Sequence, residues 1–230
     1  MEYIDRRRRA FTLVELLVVI AIVAVLMGLA LPGLSRAQVR AQQVACSSNL
    51  RQVGQAFLLY GNERLGLYPW AEDPVQSGVW LWMGRGWRPV LESYVPRAGS
   101  AGVFHCPADR KSAAQFDSTS YAYSMAFYHS PDQVNGMTSV ADNYGNPRPP
   151  VPQRAGNVEF PGRKILAGEW LSVHARLAGD RGWFGPGGRR LFLFADHHVE
   201  PVDAERLRPA NDGNPNPNLT RDGIRGADVD

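Results

Sequence analysis

Two cysteines, Cys46 and Cys106, are all the sulfhydryl chemistry that 230 residues contain. Neither belongs to a C-x-x-C pair or sits at metal-ligand spacing, so one structural disulfide in an oxidising compartment is the simplest use for them. Signatures of catalysis are also missing. Ser124 and Ser172 lie in no G-x-S-x-G elbow, and Gly185-Pro186-Gly187-Gly188 is followed by no Lys-Ser/Thr that would make it a phosphate cradle. No catalytic residue and no cofactor is therefore expected. Basic charge is scarce outside one short run. Of 25 basic and 22 acidic residues, Arg6 to Arg9, Glu2 and Asp5 fall within the first ten positions, leaving 21 against 20, or +1, for the rest. A near-neutral body gives no footprint for nucleic acid.

What the chain does have is a long apolar run at its start. Leu16 to Leu31 carries no charge, and with Phe11 to Glu15 the stretch reaches 21 residues. About 20 helical residues cross a bilayer core. Arg6 to Arg9 stand immediately before it, and the positive-inside rule keeps such a flank cytoplasmic and sends the remainder of the chain outward. The anomaly is Glu15, a carboxylate near the start of the apolar segment, where a charge costs about 2.5–3.5 kcal/mol on insertion scales. A secretory signal peptide has a similar basic start and apolar core, and Gly28-Leu29-Ala30 imitates its small-x-small cleavage site. A carboxylate inside the core has no purpose in a discarded peptide, and Glu15 weighs against that reading.

The residues Ala10-Phe11-Thr12-Leu13-Val14-Glu15 and the apolar helix after them resemble the prepilin cleavage and methylation motif of type IV pilin-like proteins and type II secretion pseudopilins. The resemblance implies cleavage between Ala10 and Phe11, N-methylation of Phe11, and an assembly role for Glu15 as the fifth residue of the mature chain. The implied partners are a prepilin peptidase/methyltransferase, other pilin or pseudopilin subunits, an inner-membrane assembly platform and membrane lipid. Ala10 stands where the family usually has Gly. Cys46-Ser47-Ser48-Asn49-Leu50, Phe104-His105-Cys106-Pro107 and Phe194-Ala195-Asp196-His197-His198-Val199 are similar to large pseudopilin-like proteins numerous in Planctomycetes. Many of those end in a His-x9-Asp-Gly hairpin, and this chain departs from it with Pro186 at the His position and His197 at the Gly position.

Beyond Pro32 the apolar residues Leu34, Ala37, Ala41 and Val44, and then Cys46, Leu50, Val53, Phe57 and Tyr60, recur within each run at three- and four-residue steps. This periodicity predicts one helix over about 11–60, closed by Gly61-Asn62. Cys46 shares the face of Leu50, Val53 and Phe57, which turns it toward a core and toward Cys106. Strand-like runs occupy Ser120 to Phe127, Lys164 to Trp170, Arg190 to Ala195 and His198 to Val202. The last two form a hairpin through Asp196-His197, with His197 in a left-handed conformation. The expected fold is α+β, a long N-terminal transmembrane helical spine packed on a small antiparallel sheet with long loops. Its divisions are a cytoplasmic leader (1–10), a transmembrane helix (11–31), an amphipathic continuation (32–60), a periplasmic domain (61–205) and a disordered tail (206–230). From Asn211 the tail has almost no apolar residues, and its acidic residues lack the alternate spacing and closing Glu of a calcium loop.

A metal site could be drawn from Asp196, His197 and His198 with Glu169 and His174. Adjacent histidines on a strand face opposite ways, so a solvent-exposed turn without a metal is the expected reading. Trp70, Trp80, Trp82 and Trp87 either line a binding groove or cover the core, the commoner use of such aromatics. The expected function is thus structural, a subunit of a pilus or type II secretion pseudopilus held in the bacterial inner membrane. The alternative is a membrane-anchored or secreted binding domain that does not polymerise.

Overall fold

The computed structural model describes residues 13–70, 87–95, 100–109, 119–139, 141–142, 148–175 and 177–230. The chain divides into two compact units, Met1–Ala41 and Gln42–Asp230. Helix α1 (Leu13–Glu63) runs through Pro32 and carries the apolar periodicity read from the sequence. It ends a few residues beyond the Gly61 signal. Gly66 N–H donates to Gly61 O at 2.8 Å, and Leu65 (φ 55°) takes the left-handed cap position that glycine usually fills.

In the second unit, the C-terminal turns of α1 bury Cys46, Leu50, Val53, Phe57 and Tyr60. Three of these five are large side chains, each worth about 1.5–3 kcal/mol when removed from water, which is more than helix propensity alone supplies. The sheet consists of β1 (Tyr121–Tyr123), β2 (Ile165–Glu169), β3 (Arg189–Phe194) and β4 (Val199–Asp203), all antiparallel in sequential order. The architecture is α+β. Helix and sheet meet closely at Gly54, where an added Cβ would come within 2.9 Å of Leu193 Cδ1. Short helices α2 (Arg88–Leu91), α3 (Ser100–Val103) and α4 (Pro131–Asn135) decorate the connections. Ser130 and Gln133 close a capping box on α4.

The β3–β4 connection corrects one detail. A two-residue Asp196-His197 turn was expected, but Phe194 N–H donates to His198 O at 2.9 Å and His197 N–H to Phe194 O at 2.9 Å, giving a three-residue loop. His197 (φ 70°) is its left-handed residue, as three-residue hairpins require after a type I turn. Asp196 Oδ1 accepts from His198 N–H at 3.1 Å and lies 2.5 Å from His198 Nδ1.

The larger correction concerns the tail. Residues 206–230, expected to be disordered, pack on the sheet and α4. Leu219, Ile224 and Val229 are buried, and Leu207 bridges Val229 antiparallel. Polar residues are buried with their partners: Ser124 Oγ donates to Pro217 O at 2.8 Å, and Met125 N–H to Asn218 Oδ1 at 3.1 Å. Asp228 is fully enclosed, accepting from Lys164 Nζ (3.2 Å), Ile165 N–H (2.6 Å) and the Thr220 hydroxyl. Composition misled because a few apolar residues, Leu219, Ile224 and Val229, are buried and the polar ones find hydrogen-bond partners far away in sequence, which low apolar content does not exclude. Burial pushes the Lys164 amine below its ordinary value and the Asp228 carboxyl above its own, each partly offset by the other's charge.

Of the tryptophans singled out from the sequence, Trp80 and Trp82 lie outside the described residues. Trp87 is core, its ring centroid 5.6 Å from Phe57 and 5.7 Å from Phe104. Trp70 is 45% exposed.

Candidate functional site

Two places carry chemistry. The first is the N-terminal part of α1. Ala10 and Phe11 lie outside the described residues; Glu15 is in the first turn of the helix. From Leu13 to Leu31 the large apolar side chains are exposed, ranging from 41% at Val23 to 77% at Leu13 and Leu29. Water would not tolerate such a surface on an isolated chain. The helix is long and apolar enough to cross a membrane.

The second place is the corner where α1 meets the sheet. Cys46, from α1, and Cys106, three residues past α3, form a disulfide with Cα atoms 4.8 Å apart. Both are buried. Cys106 is fixed by its N–H donating to Ser120 Oγ at 3.0 Å, beside β1, and the Tyr121 hydroxyl donates to Cys46 O at 3.3 Å. Glu169, the last residue of β2, is buried against this bridge. Its Oε2 accepts from Leu191 N–H at 2.9 Å, and its Oε1 lies 2.9 Å from His174 Nε2. The same His174 nitrogen is 3.5 Å from Cys106 Sγ.

The metal candidates read from the sequence therefore separate. Asp196 and His198 share an exposed hairpin turn, and His197 stands half-buried, its imidazole pushed toward the neutral form by desolvation. Glu169 and His174 instead converge with the two cysteines, and the ligand atoms of these four residues lie within 4.8 Å of one another. The only local signal for this grouping was a buried-type Glu closing a strand five residues before a His; the cysteines lie more than 60 residues away in sequence from either.

The disulfide bridges positions 60 apart, and the chain-entropy treatment assigns such a closure about 4 kcal/mol. Cys46→Ala/Cys106→Ala is expected to lower unfolding stability by that amount in denaturant titrations, while the wild type shows no free thiol on alkylation without reductant. A wild type with two alkylatable thiols, or a double variant of unchanged midpoint, refutes it.

Residues 5–31 match the profile of the prokaryotic N-terminal methylation motif. The chain thus carries a prepilin-type N-terminus, and with its long apolar helix it fits the type IV pilin-like family. No curated protein and no solved structure matches it.

Proposed function

We propose that this chain is a structural pilin or pseudopilin subunit, cut by prepilin peptidase between Ala10 and Phe11, N-methylated on Phe11, and assembled through α1 into a pilus or type II secretion pseudopilus. The observation that carries the reading is the match over residues 5–31, which joins the basic leader, the small residue, the Glu at the fifth mature position and the apolar run in one contiguous motif. The exposed apolar surface of Leu13 to Leu31 supports it, because lipid first and neighbouring helices afterwards remove that surface from water. In the proposed topology Arg6 to Arg9 remain cytoplasmic, α1 crosses the inner membrane, and the α+β unit is periplasmic. That compartment suits the Cys46–Cys106 disulfide. A peptidase/methyltransferase, sister subunits and an inner-membrane platform are the partners.

N-terminal analysis of the mature protein tests this directly. A chain beginning at methylated Phe11 supports the subunit; one beginning at Leu31 supports a secreted domain released by a signal peptidase. Ala10→Phe should leave the leader attached, because a bulky side chain before the scissile bond replaces the small one that the motif demands. The intact mass would then exceed that of the processed wild type by residues 1–10. Normal processing of Ala10→Phe would displace the cleavage site.

A further inference from the structure

The corner formed by Cys46, Cys106, Glu169 and His174 is more than a disulfide needs. A structural bridge in a packed core is served by apolar neighbours, yet this one has a buried carboxylate and an imidazole placed against it. Glu169 is costly to bury as an anion. One of its oxygens is occupied by Leu191 N–H, and the other faces His174 Nε2. Among the described residues His174 Nδ1 is buried with no hydrogen-bond partner, so none of them holds the ring by a bond to that nitrogen. What positions the imidazole is the direction of Nε2, toward Glu169 Oε1 and Cys106 Sγ together.

One spacing at this corner already suits a tetrahedral cation. Zinc bonds of about 2.0–2.3 Å place ligand atoms roughly 3.3–3.8 Å apart. His174 Nε2 to Cys106 Sγ is 3.5 Å, within that range, and His174 Nε2 to Glu169 Oε1 is 2.9 Å, short of it by a few tenths. The sulfurs, bonded at 2.07 Å, have to separate on reduction before both can bind one cation. Two thiolates, one imidazole and one carboxylate form a donor set that selects zinc over calcium or magnesium. The carboxylate is already held from outside by Leu191 N–H, the kind of support that orients a ligand.

We infer that, once the disulfide is reduced, Cys46, Cys106, Glu169 and His174 hold one thiophilic divalent cation, so that α1 and the segment after α3 are joined at this corner by either a disulfide or a metal. In the reducing step two thiols deliver two electrons and two protons. The Cys46–Cys106 bond breaks, two cysteine thiols form, and the reductant leaves as its own disulfide. The cation then displaces both thiol protons.

The test uses the full chain in detergent micelles, reduced anaerobically and freed of reductant, with cobalt(II) as the probe. The expected result is one cobalt per chain with the visible bands of a tetrahedral thiolate site, bleached by zinc, and no bands from the oxidised chain. His174→Ala and Glu169→Gln should each weaken cobalt binding by at least the roughly 10- to 100-fold that loss of even an outer-shell partner costs. Both variants are first shown folded in the oxidised state by near-ultraviolet circular dichroism, and His174→Gln substitutes where the alanine does not fold. Free thiols without cobalt bands overturn the inference, as do bands that persist unchanged in the histidine variants. A reduced chain that unfolds and regains its near-ultraviolet signal with zinc supports it; one that stays unfolded with zinc saturating overturns it.

Discussion

Glu15→Ala is expected to be inserted and cut like the wild type and yet to be absent from filaments. Cleavage after Ala10 leaves an amine on Phe11 whose ordinary pKa of about 8 keeps it charged at neutral pH, and methylation preserves that charge. Surrounded by apolar helices, this amine and the Glu15 carboxylate are each costly alone, and each offsets the cost of the other when they pair. Under the proposed function the partner amine belongs to a neighbouring subunit, so the pair sets the axial register as a subunit joins. A carboxylate at the centre of a membrane helix costs about 2.5–3.5 kcal/mol, an upper bound for Glu15 in the first turn. Misregistered subunits keep that cost, and at 1.4 kcal/mol per decade it disfavours them by at most roughly two orders of magnitude. Removing Glu15 removes the discrimination. Crosslinking between subunits carrying Ile20→Cys should accordingly fall to background in Glu15→Ala while the mature mass remains that of a processed chain. Glu15→Asp, which keeps the charge on a shorter arm, should retain part of the crosslinking. Unchanged crosslinking in Glu15→Ala would remove Glu15 from assembly and favour a domain that is anchored without polymerising.

A chain ending at Arg208 should fail to fold. Truncation there strips Leu219, Ile224 and Val229 from the core, at about 1.5–3 kcal/mol each. It also leaves the buried Lys164 amine without Asp228, and breaking such a pair by removing one partner costs about 3–5 kcal/mol. Together these reach about 8–14 kcal/mol, comparable to the whole stability of an ordinary domain. Asp228→Ala alone should cost the 3–5 kcal/mol of the pair, read as a lowered midpoint in denaturant.

The pH dependence separates the charge from the packing. Lys164 has a lowered folded pKa, so its contribution is complete above the unfolded value near 10.4 and declines as pH falls through the folded one. Asp228 behaves oppositely. Its folded pKa is raised, so its contribution is complete below the unfolded value near 3.9 and declines as pH rises through the folded one. Asp228→Asn removes the carboxylate that holds the lysine's pKa up, so its deficit relative to wild type should widen from alkaline to neutral pH. A tail-truncated chain that melts with the wild type, or an Asp228→Asn deficit independent of pH, would refute this account.

The N-terminal motif was legible because its information is local. Peptidase recognition needs a small residue beside a fixed sequence, lipid needs about 20 apolar residues, and both lie within residues 5–31. Periodicity likewise exposed the face of α1 that carries Cys46 and Phe57, and the strands around Asp196-His197. The order of the tail was not legible, since Asp228 finds Lys164 64 residues away and Asn218 meets Met125 93 residues away. Low apolar content says nothing about hydrogen bonds that exist only once the sheet has formed. The same holds for His174, which reaches Cys106 across 68 residues. The amino-acid sequence by itself determined the motif, the membrane-length helix and the α+β elements, because each is written in neighbours along the chain. Only the tertiary structure decided that a polar tail is core and that a carboxylate, an imidazole and two sulfurs share one corner, because burial and long-range contacts set where a side chain's partners are.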